Sequence, residues 1–248
     1  MRPYILTLAG FDPSGGAGVL ADVKTIEQLG GYGLAVQTAN TVQDDRTFKA
    51  CHWLPPAQIE AQLQLLLDRF PITVVKVGVI EDVDLLHRCL DRMFSYQPTL
   101  RVVLDPVLRA STAFDFQEET RGWASPALWQ RLCLLTPNAD EALRLVPGRA
   151  LEDAVRELAL YTNVLLKGGH RQDAIGVDQL HTQTGKCIAF EPERLSEYGK
   201  HGSGCVLSSA IATRLALGDD LEQACRVGKT YVERLLHSNT SALGYHTP

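Results

Sequence analysis

The residues most able to do chemistry in this chain lie at His201-Gly-Ser-Gly-Cys205. Two glycines bracket a hydroxyl, and an apolar run follows through Val206, Leu207, Ala210, Ile211 and Leu215 to Gly218. That pattern predicts a tight turn opening a helix. Glycines there permit positive φ, and the free N–H groups and dipole of a helix N-terminus favour an anion. Gly202, Ser203 and Gly204 therefore form a candidate anion hole, with Cys205 as a thiol whose pKa the same field should lower. The plain alternative is a glycine turn followed by a core cysteine. Ser203 is not in a Gly-x-Ser-x-Gly elbow, so a serine-hydrolase reading has no support.

Other chemistry-bearing residues recur at intervals. Gly10-Phe-Asp-Pro-Ser-Gly-Gly-Ala-Gly18 is a glycine-rich loop that matches neither the dinucleotide fingerprint nor a Walker loop. Asp105 precedes Pro106, Asn138 and Glu141 share one face of a first helical turn, and Lys167 precedes Gly168 and Gly169. Asn138 and Glu141 also read as a helix-capping pair. Glycine turns and Lys167 suit a phosphate chain. Asp105, Glu141 and the Asn138 amide suit Mg²⁺, which takes few protein ligands and keeps its waters. Phosphoryl transfer needs positioning, charge neutralisation and a base, and Cys205 is placed to be that base.

Apolar runs of strand length occur at Tyr4–Ala9, Leu34–Ala39, Thr73–Ile80, Leu100–Asp105, Leu134–Thr136 and Val164–Lys167. Thr41–Asp45, carrying Gln43, is expected to leave the sheet. Helical patterns run over Val19–Leu29, from after Pro55 and Pro56 through Arg69, and over Val83–Met93, Pro126–Leu132, Asn138–Val146, Leu151–Tyr161 and Leu221–Leu236. Residues 44–53 and Arg109–Trp123 are loops or lids, and 173–191 is a polar hairpin-like region. Alternating strands and helices predict an α/β fold, a mostly parallel sheet with helices on both faces, in one domain over residues 1–248. Ligands of such sheets bind beyond the carboxyl ends of the strands, and all of the candidate residues fall there.

The net charge of −5 argues against nucleic acid or an anionic membrane as partner. No apolar stretch reaches membrane-spanning length, and the N-terminus lacks the pattern of a signal peptide. Six cysteines without C-x-x-C or ligand-like spacing point to core residues in a reducing compartment, without disulfides or structural zinc. A cytoplasmic protein is expected.

Gly10–Gly18, Asp22, Gln43, Asp105-Pro-Val107, Thr136-Pro-Asn-Ala-Asp-Glu141, Lys167-Gly-Gly-His170 and His201-Gly-Ser-Gly-Cys205, in that order, resemble hydroxymethylpyrimidine/phosphomethylpyrimidine kinase of thiamin biosynthesis. That family is ribokinase-like, so the resemblance implies a three-layer sandwich. It also implies ATP, Mg²⁺ and phosphorylation of 4-amino-5-hydroxymethyl-2-methylpyrimidine, then of the monophosphate, by a homodimer. By the match, Gly10, Ala17, Asp22, Gln43, Val79 and Val107 line the pyrimidine pocket. Lys167, Asn138, Glu141 and Gly168 serve the nucleotide, Asp105 and Glu141 the metal, and Cys205 is the base where sugar kinases usually carry aspartate. The Gln43 amide offers a donor and an acceptor, the complement of a ring nitrogen beside an exocyclic amine. Departures from the family are Ser203 for threonine, Asp44 after Gln43, Val79 for methionine, and Arg109-Ala-Ser-Thr-Ala113 in the lid segment. Pyridoxal or pyridoxine kinase, a sugar kinase and a non-catalytic binding homologue are the other readings.

Overall fold

The computed structural model of the protein describes residues 1–109, 116, 122–169, 174–196 and 198–247. Most of the expected loop Arg109–Trp123 lies outside the described residues, as does His170.

The first half of the chain runs β1 (Tyr4–Phe11), α1 (Gly18–Gln28), β2 (Tyr32–Gln43), β3 (Phe48–Trp53), α2 (Pro56–Arg69), β4 (Val74–Val77), α3 (Val83–Tyr96) and β5 (Arg101–Leu104). It continues with α4 (Pro126–Trp129), β6 (Leu134–Leu135), α5 (Ala139–Leu145), α6 (Leu151–Ala159) and β7 (Asn163–Leu166). A hairpin of β8 (Asp178–His181) and β9 (Cys187–Phe190) leads to α7 (Ser203–Ala216) and α8 (Leu221–His237). The strands form one sheet in the order β3-β2-β1-β4-β5-β6-β7-β8-β9. Pairing from β2 through β7 is parallel, while β3, β8 and β9 join antiparallel at the edges.

Strand periodicity divides the core between the two faces. Leu6, Leu8, Val75, Val77, Val102 and Leu104 pack with α2 and α3 on one face. The alternate residues Ile5, Val74, Val103, Leu134 and Leu165 pack with α7 and α8 on the other. Both faces are covered, which is why these strands read as nearly continuous apolar runs. Lys76 breaks the run, and it points with Val74 toward the α7 side. Helix starts are fixed by side chains that bond first-turn amides: Asp82 takes Leu85 N–H and Asp220 takes Gln223 N–H.

Two expectations change. Gln43 does not leave the sheet; β2 extends through it and turns back as β3, with Gln43 opposite Phe48. Only Cys89 and Cys225 are fully buried, and Cys187 is exposed. The sheet order gives the site its place. After β1 the chain adds β2 on one side, and after β3 it crosses to add β4 on the other side of β1. The carboxyl ends of β1 and β4 thus flank the point where the winding reverses, which is where such folds leave a crevice.

Candidate active site

Helix α7 begins as expected, at a glycine in the left-handed region: Gly202 has φ 75°. A Cβ at Gly202 would lie 2.0 Å from the Gly16 carbonyl oxygen and 2.7 Å from the Ala17 Cα. The turn therefore rests directly on the backbone of the β1–α1 loop, and only glycine permits that approach. Gly18 makes a similar demand within its own loop, with φ 60° and a Cβ position 2.1 Å from the Gly10 carbonyl oxygen. The two glycine-rich motifs are thus one interlocked structure. At the other side of α7, the Cβ position of Gly204 lies 3.4 Å from Lys167 Nζ and 3.7 Å from Asp105 Oδ2.

Cys205 occupies the first turn of α7 with a partly accessible face. Its thiol does not behave as expected. Burial pushes its pKa up to about 11; Lys76 pulls down, the Asp22 and Asp105 carboxylates push up, and a bond from the Gly18 N–H pulls down. Loss of hydration and two carboxylates outweigh the helix terminus, so the resting group is a thiol rather than a thiolate.

Lys76 and Asp22 lie behind Cys205 and are both fully buried. Lys76 Nζ donates to both Asp22 oxygens at 3.0 and 2.8 Å. The same carboxylate accepts from Thr7 Oγ1 at 2.6 Å and Ser209 Oγ at 2.7 Å. Thr7 and Lys76 are partners across β1 and β4, and Ser209 follows Cys205 by one turn of α7. Asp22 was expected in the pyrimidine pocket. In the structure it is fully buried, and its oxygens accept from Thr7, Ser209 and Lys76. Burial works against charge on Lys76, but the Asp22 and Asp105 carboxylates outweigh it and hold the ammonium protonated.

Asp105 follows β5, Glu141 lies in α5 and Lys167 follows β7. Lys167 Nζ bonds Asp105 Oδ1 at 2.8 Å and lies 3.4 Å from Glu141 Oε2. Burial opposes the charge on Lys167, but the two carboxylates outweigh it and raise its pKa. Glu141 is raised by burial, against the pull of Lys167. Asn138 and Glu141 make the full capping box: Asn138 Oδ1 accepts from Glu141 N–H at 2.8 Å and Glu141 Oε2 accepts from Asn138 N–H at 2.7 Å. The capping and site readings are therefore compatible, since the cap aims Glu141 at Lys167. Gly168 is buried, and its N–H donates to Asp178 Oδ1 at 2.8 Å. Among the described residues no cluster of three or more His, Cys, Asp or Glu side chains forms a metal cage. Two carboxylates sharing one ammonium match the sparse protein ligation that Mg²⁺ takes beside phosphate oxygens and water.

Across the crevice, Ala17, Gln43, Val79 and Val107 are half-buried and Gly10 is buried beneath them. Thr38 Oγ1 bonds the Val79 carbonyl at 2.6 Å, tying the end of β4 to β2. Gln43 Nε2 donates to Thr41 Oγ1 at 2.8 Å, and Thr41 in turn bonds the Phe11 carbonyl. The Gln43 amide is thereby fixed at the end of β1, keeping an oxygen and a second hydrogen for other contacts. Phe116 packs edge-on against Phe48, 5.3 Å between ring centres, and against Trp53. The chain beyond β5 thus leans on the β2–β3 hairpin beside Gln43. Lys76 was passed over in the sequence, although a lone lysine inside an apolar strand has to be buried and paired. Asp12 was passed over as one polar residue in a glycine loop.

The sheet order and the glycine-led helix at its carboxyl edge define a ribokinase-like kinase fold. Staphylococcus aureus pyridoxal kinase in complex with AMP-PCP and pyridoxal shares it, at TM-score 0.83 and 24% identity, covering 98% of this chain and 92% of that one. Within that class the sequence is specific: the phosphomethylpyrimidine kinase family model matches residues 12–248, and the chain belongs to that family. The chain is 33% identical over 251 residues to hydroxymethylpyrimidine/phosphomethylpyrimidine kinase of Aquifex aeolicus, covering 97% of each. It is 38% identical over 242 residues to thiamine biosynthesis bifunctional protein ThiED of Geobacter sulfurreducens, covering 93% of this chain and 48% of that protein. It thus spans about half of that bifunctional relative. The crystal structure of phosphomethylpyrimidine kinase from Clostridium difficile 630 matches at TM-score 0.78 and 28% identity, covering 93% of this chain and 98% of that one.

Proposed function

We propose that the chain transfers the γ-phosphoryl group of ATP to the hydroxymethyl oxygen of 4-amino-5-hydroxymethyl-2-methylpyrimidine, and then phosphorylates the monophosphate. The observation that carries this reading is the position of Gly204. Its Cβ position lies 3.4 Å from Lys167 Nζ and 3.7 Å from Asp105 Oδ2, so the anion turn abuts the Asp105–Lys167–Glu141 group, while the same turn rests through Gly202 on Gly16 and Ala17 of the β1–α1 loop. A hydroxymethyl group in the crevice and a phosphate chain at Lys167 would meet at the first turn of α7.

Each residue then has a task. Gln43 orients the aminopyrimidine edge, and Ala17, Val79 and Val107 exclude water from the ring. Lys167 and the first-turn amides of α7 receive charge on the transferred group. Cys205 Sγ accepts the hydroxyl proton as the oxygen–phosphorus bond forms and ADP leaves. That step needs the thiolate, the form that Lys76 and Lys167 favour and burial resists. Asp105 and Glu141 would hold Mg²⁺, which would neutralise phosphate charge. Cytoplasmic residence, a single folding unit and a homodimeric state complete the proposal on family grounds.

The test is a coupled ADP-release assay with the hydroxymethylpyrimidine, its monophosphate and pyridoxal in parallel. The expected order of kcat/KM places both pyrimidines above pyridoxal. Pyridoxal turning over fastest would overturn the assignment in favour of a pyridoxal kinase. Gln43→Leu separates the two readings further. It should raise KM for the pyrimidine about tenfold or more, because a substrate edge built for hydrogen bonds is left unpaired. Pyridoxal should be affected less. Equal losses for both substrates would remove Gln43 as the selecting residue.

A further inference from the structure

His201 precedes the anion turn and has no role in the chemistry above. Its imidazole is buried, and Nε2 lies 2.9 Å from Asp12 Oδ2. Asp12 is buried in the β1–α1 loop, where it also accepts from Ser14 N–H at 2.9 Å, Ser14 Oγ at 2.8 Å and Ala17 N–H at 2.8 Å. Burial works against the carboxylate, but the bonds from His201, Ser14 and Ala17 outweigh it and hold its pKa below the ordinary value. Asp12 is then an acceptor only, so Nε2 of His201 carries the hydrogen between them.

One carboxylate oxygen, Oδ2, therefore holds three groups at once: the Ser14 hydroxyl, the amide of Ala17 and the residue that leads into Gly202. The backbone contact of Gly202 on Gly16 lies beside it. That contact sets how closely the loops approach, and the Gly18 N–H bond to the Cys205 sulfur joins the same two segments. The Asp12–His201 bond adds a directional side-chain tie at the entrance to the turn. On the far side, His201 N–H bonds the Ala242 carbonyl at 2.9 Å, so the histidine is anchored from both ends.

We infer that His201 is a positioning residue: through Asp12 it fixes the pocket wall at Ala17 relative to the first turn of α7, and so sets the alignment of acceptor hydroxyl and transferred phosphoryl group. Alignment acts on kcat, since near-attack geometry is sensitive to displacements of about 1 Å, while the ring contacts that hold substrate stay intact.

The turnover arm of the test rests on the kinase reading above. His201→Ala should lower kcat about 10- to 100-fold with KM for the pyrimidine changed by less than about threefold. His201→Gln, whose amide reaches the same point as Nε2, should recover most of that loss. A His201→Ala enzyme within about twofold of wild-type kcat would overturn the inference. So would equal losses in His201→Ala and His201→Gln, because the bond to Asp12 would then be irrelevant. A wild-type chain that turns over none of the substrates sinks the kinase reading instead, and amide hydrogen exchange then decides the clamp. In His201→Ala the Ala17, Gly204 and Cys205 amides should exchange about tenfold faster while those of β4 and β5 do not change. Unchanged exchange at Ala17 would overturn the clamp.

Discussion

Cys205→Ala should bind the aminopyrimidine with near-normal KM and lose about 10²- to 10⁴-fold in kcat, the range that a positioned general base supplies. The expectation follows from where the sulfur sits. The residues assigned to the pyrimidine, Ala17 and Gln43 among them, are left in place by the substitution. What disappears is the proton acceptor beside Lys76. The raised thiol sharpens the test. With a pKa near 11, the thiolate is scarce at neutral pH, and turnover limited by it should climb as pH rises toward that value. In Cys205→Ala the climb should be absent. Steady-state kinetics over a pH series reads both features. A variant with near-normal kcat, or one that keeps the wild-type pH slope, would show that proton removal does not pass through Sγ.

The parts of the fold legible in the sequence were those set by local periodicity. Leu6 and Leu8 against Ile5, and Val75 and Val77 against Val74, alternate because both sheet faces are covered. The glycine at 202 was legible for the same local reason: it announces a left-handed turn. What stayed hidden depends on partners far apart in the chain. Gln43 read as leaving the sheet because Gln-Asp-Asp is polar, yet the pairing of β2 with β3 keeps it in register opposite Phe48. The partners of Asp22 were hidden for the same reason: Thr7, Lys76 and Ser209 converge on it from three separate elements. The sign of the Cys205 shift was misjudged because the helix terminus is visible in sequence, whereas burial and the Asp22 and Asp105 carboxylates are not. The N–H partner of Gly168, Asp178, likewise arrives from a later hairpin.

Lys76→Met should cost about 3–5 kcal/mol of folding stability, the penalty for stranding one member of a buried ion pair. Lys76 and Asp22 are both fully buried, and α1, β1, β4 and α7 meet at the pair. Methionine replaces the lysine stem with similar volume, so packing changes little. The loss comes from Asp22, whose charge would keep only the Thr7 and Ser209 hydroxyls as donors. A second substitution isolates that cause. In Lys76→Met/Asp22→Asn no charge remains, and the amide oxygen still accepts from one of the hydroxyls. The double variant should therefore be more stable than Lys76→Met alone, although Asp22→Asn by itself, stranding the lysine, is destabilising too. Urea titrations of the four proteins form the cycle, and a coupling energy well above 1 kcal/mol is expected. Strict additivity would mean that the pair holds nothing together. The same proteins separate stability from chemistry: at a temperature where all are folded, Lys76→Met should still turn over slowly, because the cation nearest the Cys205 sulfur on the β4 side is gone.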